Sequence, residues 1–118
     1  MSRSESDATG PKYGEVWLVD PLDDGESWPA VVISSDAVGR MPLRLIARID
    51  AIGRKNRGVW RVELPDPIES HIKGRPVVDT MQLHSVELSR CRERIGRVPA
   101  DYMTEVAAAI AILVEFEM

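Results

Sequence analysis

Two apolar runs joined by a short acidic connection constrain this chain more than any other feature. Gly14 to Asp36 reads GEVWLVDPLDDGESWPAVVISSD. Tyr13–Asp20 is rich in side chains that suit a pleated surface, so it is expected to be a strand. Pro21–Ser27 is a loop with Asp23-Asp24-Gly25 as its turn. Ala30–Ile33 is continuously apolar, the pattern of a strand buried on both faces, and the run opens at Pro29. A chain that begins this way must build its core around a sheet. Further strand patterns follow. In Leu43–Ile52, Leu45 and Ala47 alternate with Arg44, Ile46 and Arg48, and in Val59–Leu64 the side chains of Trp60, Val62 and Leu64 share one face. Arg75–Gln82 holds a strand around Val77-Val78, and His84–Leu88 continues the extended pattern. Ser34–Pro42 and the basic Gly53–Gly58 are connections, Pro65-Asp66-Pro67 breaks a strand, and Ile68–Gly74 is a loop or short helical turn. Pro99 suits the first position of a helix, with Asp101 near its positive end. Met103, Val106, Ile110 and Leu113 then form one apolar helical stripe.

The 118 residues suffice for one domain with a real core, not for two. Residues 1–12 are polar and are expected to form a disordered tail, leaving 13–118 as the domain. The fold class expected is mainly β, a β-rich α+β arrangement. About five short strands and one closing helix suggest a small, curved antiparallel barrel with a C-terminal helix. No apolar run reaches the roughly 18 residues of a membrane span, and the N-terminus lacks the apolar core of a signal peptide. With one cysteine, Cys91, no intrachain disulfide can form. A reducing cytoplasm is the expected location.

Charge is distributed unevenly. Residues 1–43 hold 3 basic and 8 acidic side chains, residues 44–97 hold 12 and 7, and the remainder holds only 4 acids. The middle of an acidic chain can therefore present a positive face suited to a phosphate backbone. The same arginines would also serve as solvated strand-edge residues that limit aggregation.

Four stretches carry a family resemblance: GEVWLVD, WPAVVISSD, Gln82-Leu-His-Ser-Val-Glu87, and Arg97-Val-Pro-Ala-Asp101 running into Met-Thr-Glu-Val106. In this order and spacing they resemble the MazF/PemK (Kid-like) toxins of bacterial toxin–antitoxin pairs, from Tyr13 to roughly Phe116. The resemblance implies an SH3-like, CcdB–PemK-type curved antiparallel barrel and a homodimer. It further implies a cognate antitoxin as partner and metal-independent cleavage of single-stranded mRNA, with no cofactor and no membrane. In that reaction the ribose 2′-hydroxyl attacks the adjacent phosphorus. The site must therefore take a proton, give one to the leaving oxygen and neutralise developing charge.

The family's catalytic groups are missing. Where part of the family has an arginine before the proline and a threonine or serine at the end of the third strand, this chain has Trp28 and Asp50. Where Kid-like members have an arginine and an aspartate, it has Asp79 and Met81. The first loop is shorter than the family's and lacks a histidine; Glu26 corresponds to the loop's glutamate. Trimming that loop is expected to open the groove. Arg48 and Asp50, two apart on one strand, project from the same face. They are the candidate substitutes, Arg48 to stabilise a phosphorane and Asp50 to accept a proton, unless they merely pair as surface ions. Glu26, Trp28, Asp79 and His84 are the candidate groove residues. Trp28 would stack on a base, or pack against the loop or across a dimer interface, and His84, in the place of the family's arginine, would touch phosphate. His71 is a general base only by default, being an exposed loop histidine otherwise. Trp17 and Trp60 are expected in the core. No acid or cysteine stands at metal-ligand spacing to either histidine. Cys91 is read as structural, although Arg90, Arg92 and Arg94 would lower its pKa if it were exposed.

Overall fold

The computed structural model describes residues 10–52, 58–65 and 74–115. The basic turn expected over Gly53–Gly58 and the loop or short helical turn expected over Ile68–Gly74, with His71, fall on residues 53–57 and 66–73, outside the described residues. Six strands run in chain order, β1 (Glu15–Val19), β2 (Trp28–Val32), β3 (Leu43–Ile52), β4 (Arg61–Glu63), β5 (Arg75–Glu87) and β6 (Cys91–Arg97), followed by α1 (Ala100–Leu113). They form one antiparallel sheet in the order β4-β5-β3-β2-β1-β6. The barrel reading is met in its strands and closing helix, but the sheet is open, with β4 and β6 at its edges.

Alternation along the strands divides the apolar side chains between two faces. Val16, Leu18, Val31, Ala47, Ile49, Val62, Val78 and Ile95 form the main core with Met103, Val106 and Ala109 of α1. Val19, Trp28, Ala30, Val32, Ile46 and Val86 form a smaller cluster on the opposite, outer face. β2 is thus buried on both sides, as its unbroken apolar run requires. Pro99 caps α1 one position before the first helical residue, its carbonyl accepting from the backbone N–H groups of Tyr102 and Met103. Gly14 adopts a left-handed φ of 85° while donating to Val32 O and accepting from Val98 N, each at 2.8 Å. Only glycine takes that turn without strain, and it ties β2 to the lead-in of α1.

Four differences from the sequence reading have physical causes. β6 is a strand where none is expected. Its pairing with β1 shifts register twice, between Val16 and Trp17 and between Leu18 and Val19. Those bulges erase the period-two pattern, so Cys91 packs with the outer cluster and Ile95 with the main core. β5 is one continuous strand, yet it leaves its partner in the middle. Ala47 pairs with Leu83 and Arg48 with Asp79, so Thr80, Met81 and Gln82 have no partner on β3. Trp17 and Trp60 are half-buried rather than core, and Trp17 Nε1 donates to Glu15 Oε1 at 3.1 Å. Finally, of the expected tail, positions 10–12 are described and packed: Pro11 is buried, and its carbonyl accepts from Arg44 Nε at 2.8 Å.

Candidate functional site

One row of residues crosses the outer face of all six strands. Successive pairings place Arg61, Asp79, Arg48, Ala30, Trp17 and Arg94 side by side, from β4 to β6. Three arginines in one row follow from register alone, and no spacing in the chain displays them together. Small Ala30 leaves room in the middle, where Trp28, two residues earlier on β2, lies beneath Arg48. The Arg48 guanidinium carbon sits 5.0 Å from the Trp28 ring centroid. The His84 ring lies 5.1 Å from that of Trp28, tilted by 53°. Trp28 is 9% exposed, so it packs, and its face is not open to a base. His84 is exposed, and its side chain makes no hydrogen bond among the described residues.

Arg48 and Asp50 do share a face, and they pair, with Nε 3.5 Å from Oδ1. Asp50 Oδ2 also accepts from Gln82 Nε2 at 3.1 Å, and the same nitrogen donates to Asp79 Oδ2 at 2.9 Å. Asp79, 3% exposed, further accepts from Met81 N and lies 3.4 Å from Arg61 Nη2. It is therefore screened from any ligand in the groove. Among the described residues, Arg61 Nε and Nη1 are buried without a hydrogen-bond partner, so Asp79 is its main compensation there. Two arginines and two aspartates balance in charge, leaving Arg48, with side-chain exposure of 40%, as the accessible cation. Glu26 is exposed on the β1–β2 loop and makes no hydrogen bond or ion pair among the described residues. Sequence reasoning missed Gln82 and Arg61. Gln82 opens one of the stretches carrying the resemblance, but nothing in its spacing shows that it reaches two carboxylates.

At β6, Cys91 is half-buried, and that burial pushes its thiol pKa up more than Arg44 and Arg90 pull it down. The arginine-rich flank does not activate it. Arg92 pairs with Asp20, while Arg94 and Arg97 both approach Glu15. Among the described residues, no group of histidine, cysteine and acid side chains is arranged to hold a metal ion. No described helix is long and apolar enough to cross a membrane.

The open six-stranded antiparallel sheet with its C-terminal helix is that of the MazF-type fold. A MazE–MazF complex from Deinococcus radiodurans superposes with a TM-score of 0.69 at 27% identity, covering 92% of this chain and 98% of the other. An endoribonuclease from a mycobacterial species, solved with its cognate antitoxin, gives 0.75 at 16% identity, covering 92% and 98%. The Mycobacterium tuberculosis toxin MazF-mt6 gives 0.72 at 14%, covering 88% and 99%. No curated protein matches the chain by sequence. Residues 12–114 match the family of PemK-like, MazF-like toxins of type II toxin–antitoxin systems, and the chain belongs to that family.

Proposed function

We propose that this protein is the toxin of a cytoplasmic toxin–antitoxin pair that binds single-stranded RNA across its outer sheet face and cleaves it only weakly. The observation that carries this reading is Arg48, its guanidinium carbon 5.0 Å over the Trp28 ring and its Nη groups unbonded among the described residues. Such a guanidinium is preorganised for a phosphate oxygen. At roughly 4.8 Å per strand, the backbone positions of Arg61, Arg48 and Arg94 lie about 10 and 14 Å apart along the row. That is a path on which an extended polyanion can lie. The complexes of related folds with antitoxins support a protein antitoxin as the partner.

Weak cleavage follows from Asp50. Its two oxygens are already engaged, Oδ1 by Arg48 and Oδ2 by Gln82, so neither stands open to take the proton of a 2′-hydroxyl. With Trp28 and Asp50 in the family's catalytic positions, cleavage of single-stranded RNA is expected to be at least ~10²-fold slower than for a typical family member. The check is a metal-free cleavage assay on a labelled oligonucleotide alongside a binding titration. Robust cleavage at nanomolar protein would refute the attenuation. Binding with no product at all favours the second reading, a non-cleaving module of the same fold, which the occupied Asp50 carboxylate supports.

The protein is also expected to be a two-fold homodimer. Ala107 and Ala108 of α1 are exposed and allow close approach, whereas Ala109 faces the protomer's own core. Light scattering at tens of micromolar should return twice the 13.2 kDa chain mass; a monomer mass would contradict this.

A further inference from the structure

β5 leaves β3 at Thr80, Met81 and Gln82, and the departure sends polar groups to both neighbours. Thr80 anchors it on the β4 side, where its backbone N–H and its hydroxyl donate to the Trp60 carbonyl at 3.0 and 2.7 Å. Gln82 extends towards β3, and its amide nitrogen lies within hydrogen-bond distance of one oxygen of Asp50 and one of Asp79. An amide NH₂ has two hydrogens, so each carboxylate receives one. Turned the other way, the amide oxygen would face two anions, so the chemistry fixes its orientation. Without this donor the two carboxylates would face each other across a shared gap.

The geometry points to Gln82 as a positioning residue that tunes the affinity of this face for single-stranded RNA without touching the RNA. It acts through Asp50. While Gln82 holds Oδ2, only Oδ1 is left for Arg48 Nε, and the Nη groups of Arg48 stay open. Once released, Asp50 is free to turn both oxygens onto the guanidinium, the forked arrangement that arginine and carboxylate prefer. Such a fork would occupy the N–H groups a phosphate needs. This inference rests on the RNA-binding reading above.

The test measures binding of a fluorescent single-stranded RNA oligonucleotide at several salt concentrations to the parent, Arg48→Ala, Gln82→Leu and the double variant. Gln82→Leu is expected to weaken binding about five- to tenfold, and the double variant to bind no more weakly than Arg48→Ala alone, because both changes remove one contact. The slope of log affinity against log salt should flatten by about 0.7 in each single variant, the share of one phosphate on a single strand. If Gln82→Leu does not fold, judged by circular dichroism, Gln82→Asn is read in the same way, since its shorter arm cannot span both carboxylates. A folded Gln82 variant that binds like the parent, or whose effect adds in full to that of Arg48→Ala, overturns the positioning role and leaves RNA binding standing. Parent-like binding by Arg48→Ala overturns the RNA reading itself, and the role of Gln82 with it.

Discussion

Trp28→Ala is expected to destabilise the protein by about 3–5 kcal/mol, the usual cost of emptying a site built for a large aromatic side chain. Trp28 is 9% exposed and packs among Val19, Ala30, Val32, Ile46 and Val86, so the cavity opens in the middle of the outer cluster. For a domain of this size the melting temperature should fall by roughly 10–20 °C. The same substitution removes the surface on which Arg48 lies. RNA affinity should therefore drop, and its salt slope should flatten by about 0.7, as for the loss of one phosphate contact. The slope separates two roles for the ring. A tryptophan that stacked on bases would weaken binding with the slope intact, because stacking is not an ionic term. Trp28→Phe keeps an aromatic face under the guanidinium and should recover most of the slope. Thermal melts and salt titrations on the two variants check both parts. An unchanged slope in a folded Trp28→Ala variant would show that Arg48 does not depend on the ring.

Arg44→Ala should cost about 3 kcal/mol, because it strips the donors from several carbonyls at once. Arg44 is 5% exposed, and no carboxylate pairs with it among the described residues. Its guanidinium donates instead to four carbonyl oxygens: Nε to Pro11, Nη1 to Met41 and Leu43, and Nη2 to Gly39, at 2.8–3.0 Å. One side chain thus holds the start of the described chain against the turn that leads into β3. A melting temperature lower by about 10–15 °C is expected. Arg44→Met, which keeps most of the apolar stem but supplies no donor, should lose nearly as much. Arg44→Lys should recover only part, since an ammonium cannot reach carbonyls spread around a planar fork. If Arg44→Met melts with the parent, the hydrogen bonds contribute little and packing of the stem carries the stability. RNA binding need not follow stability here, because Arg44 lies along β3 from Arg48 and makes no contact with the Arg48–Asp50–Gln82 network.

Much of the architecture was readable in the order of residues. The bounds of β3 at Leu43 and Ile52, the doubly buried β2, and α1 beginning beside Pro99 all follow from local properties: apolar period, unbroken apolar runs, and a proline that cannot sit inside a helix. The shared face of Arg48 and Asp50 is equally local, because side chains two apart on a strand point the same way. Such features depend only on neighbours along the chain, so the sequence alone determines them.

Everything that depends on register was decided by the tertiary structure. β6 could not be recognised because two bulges against β1 break its alternation. Cys91 lies in an arginine-rich stretch, yet burial governs its thiol, and burial belongs to the packed sheet. The arginine row exists only because six strands pair as they do, and a shift of one residue on β3 would send Arg48 to the opposite face. Asp79 and Gln82 meet Asp50 only because β5 leaves its partner for three residues. Trp28 underlies Arg48 because Ala30, and not a larger side chain, stands beside it in the row. Local chemistry chose the elements; the long-range pairing of strands, which no stretch of sequence encodes by itself, chose which side chains meet.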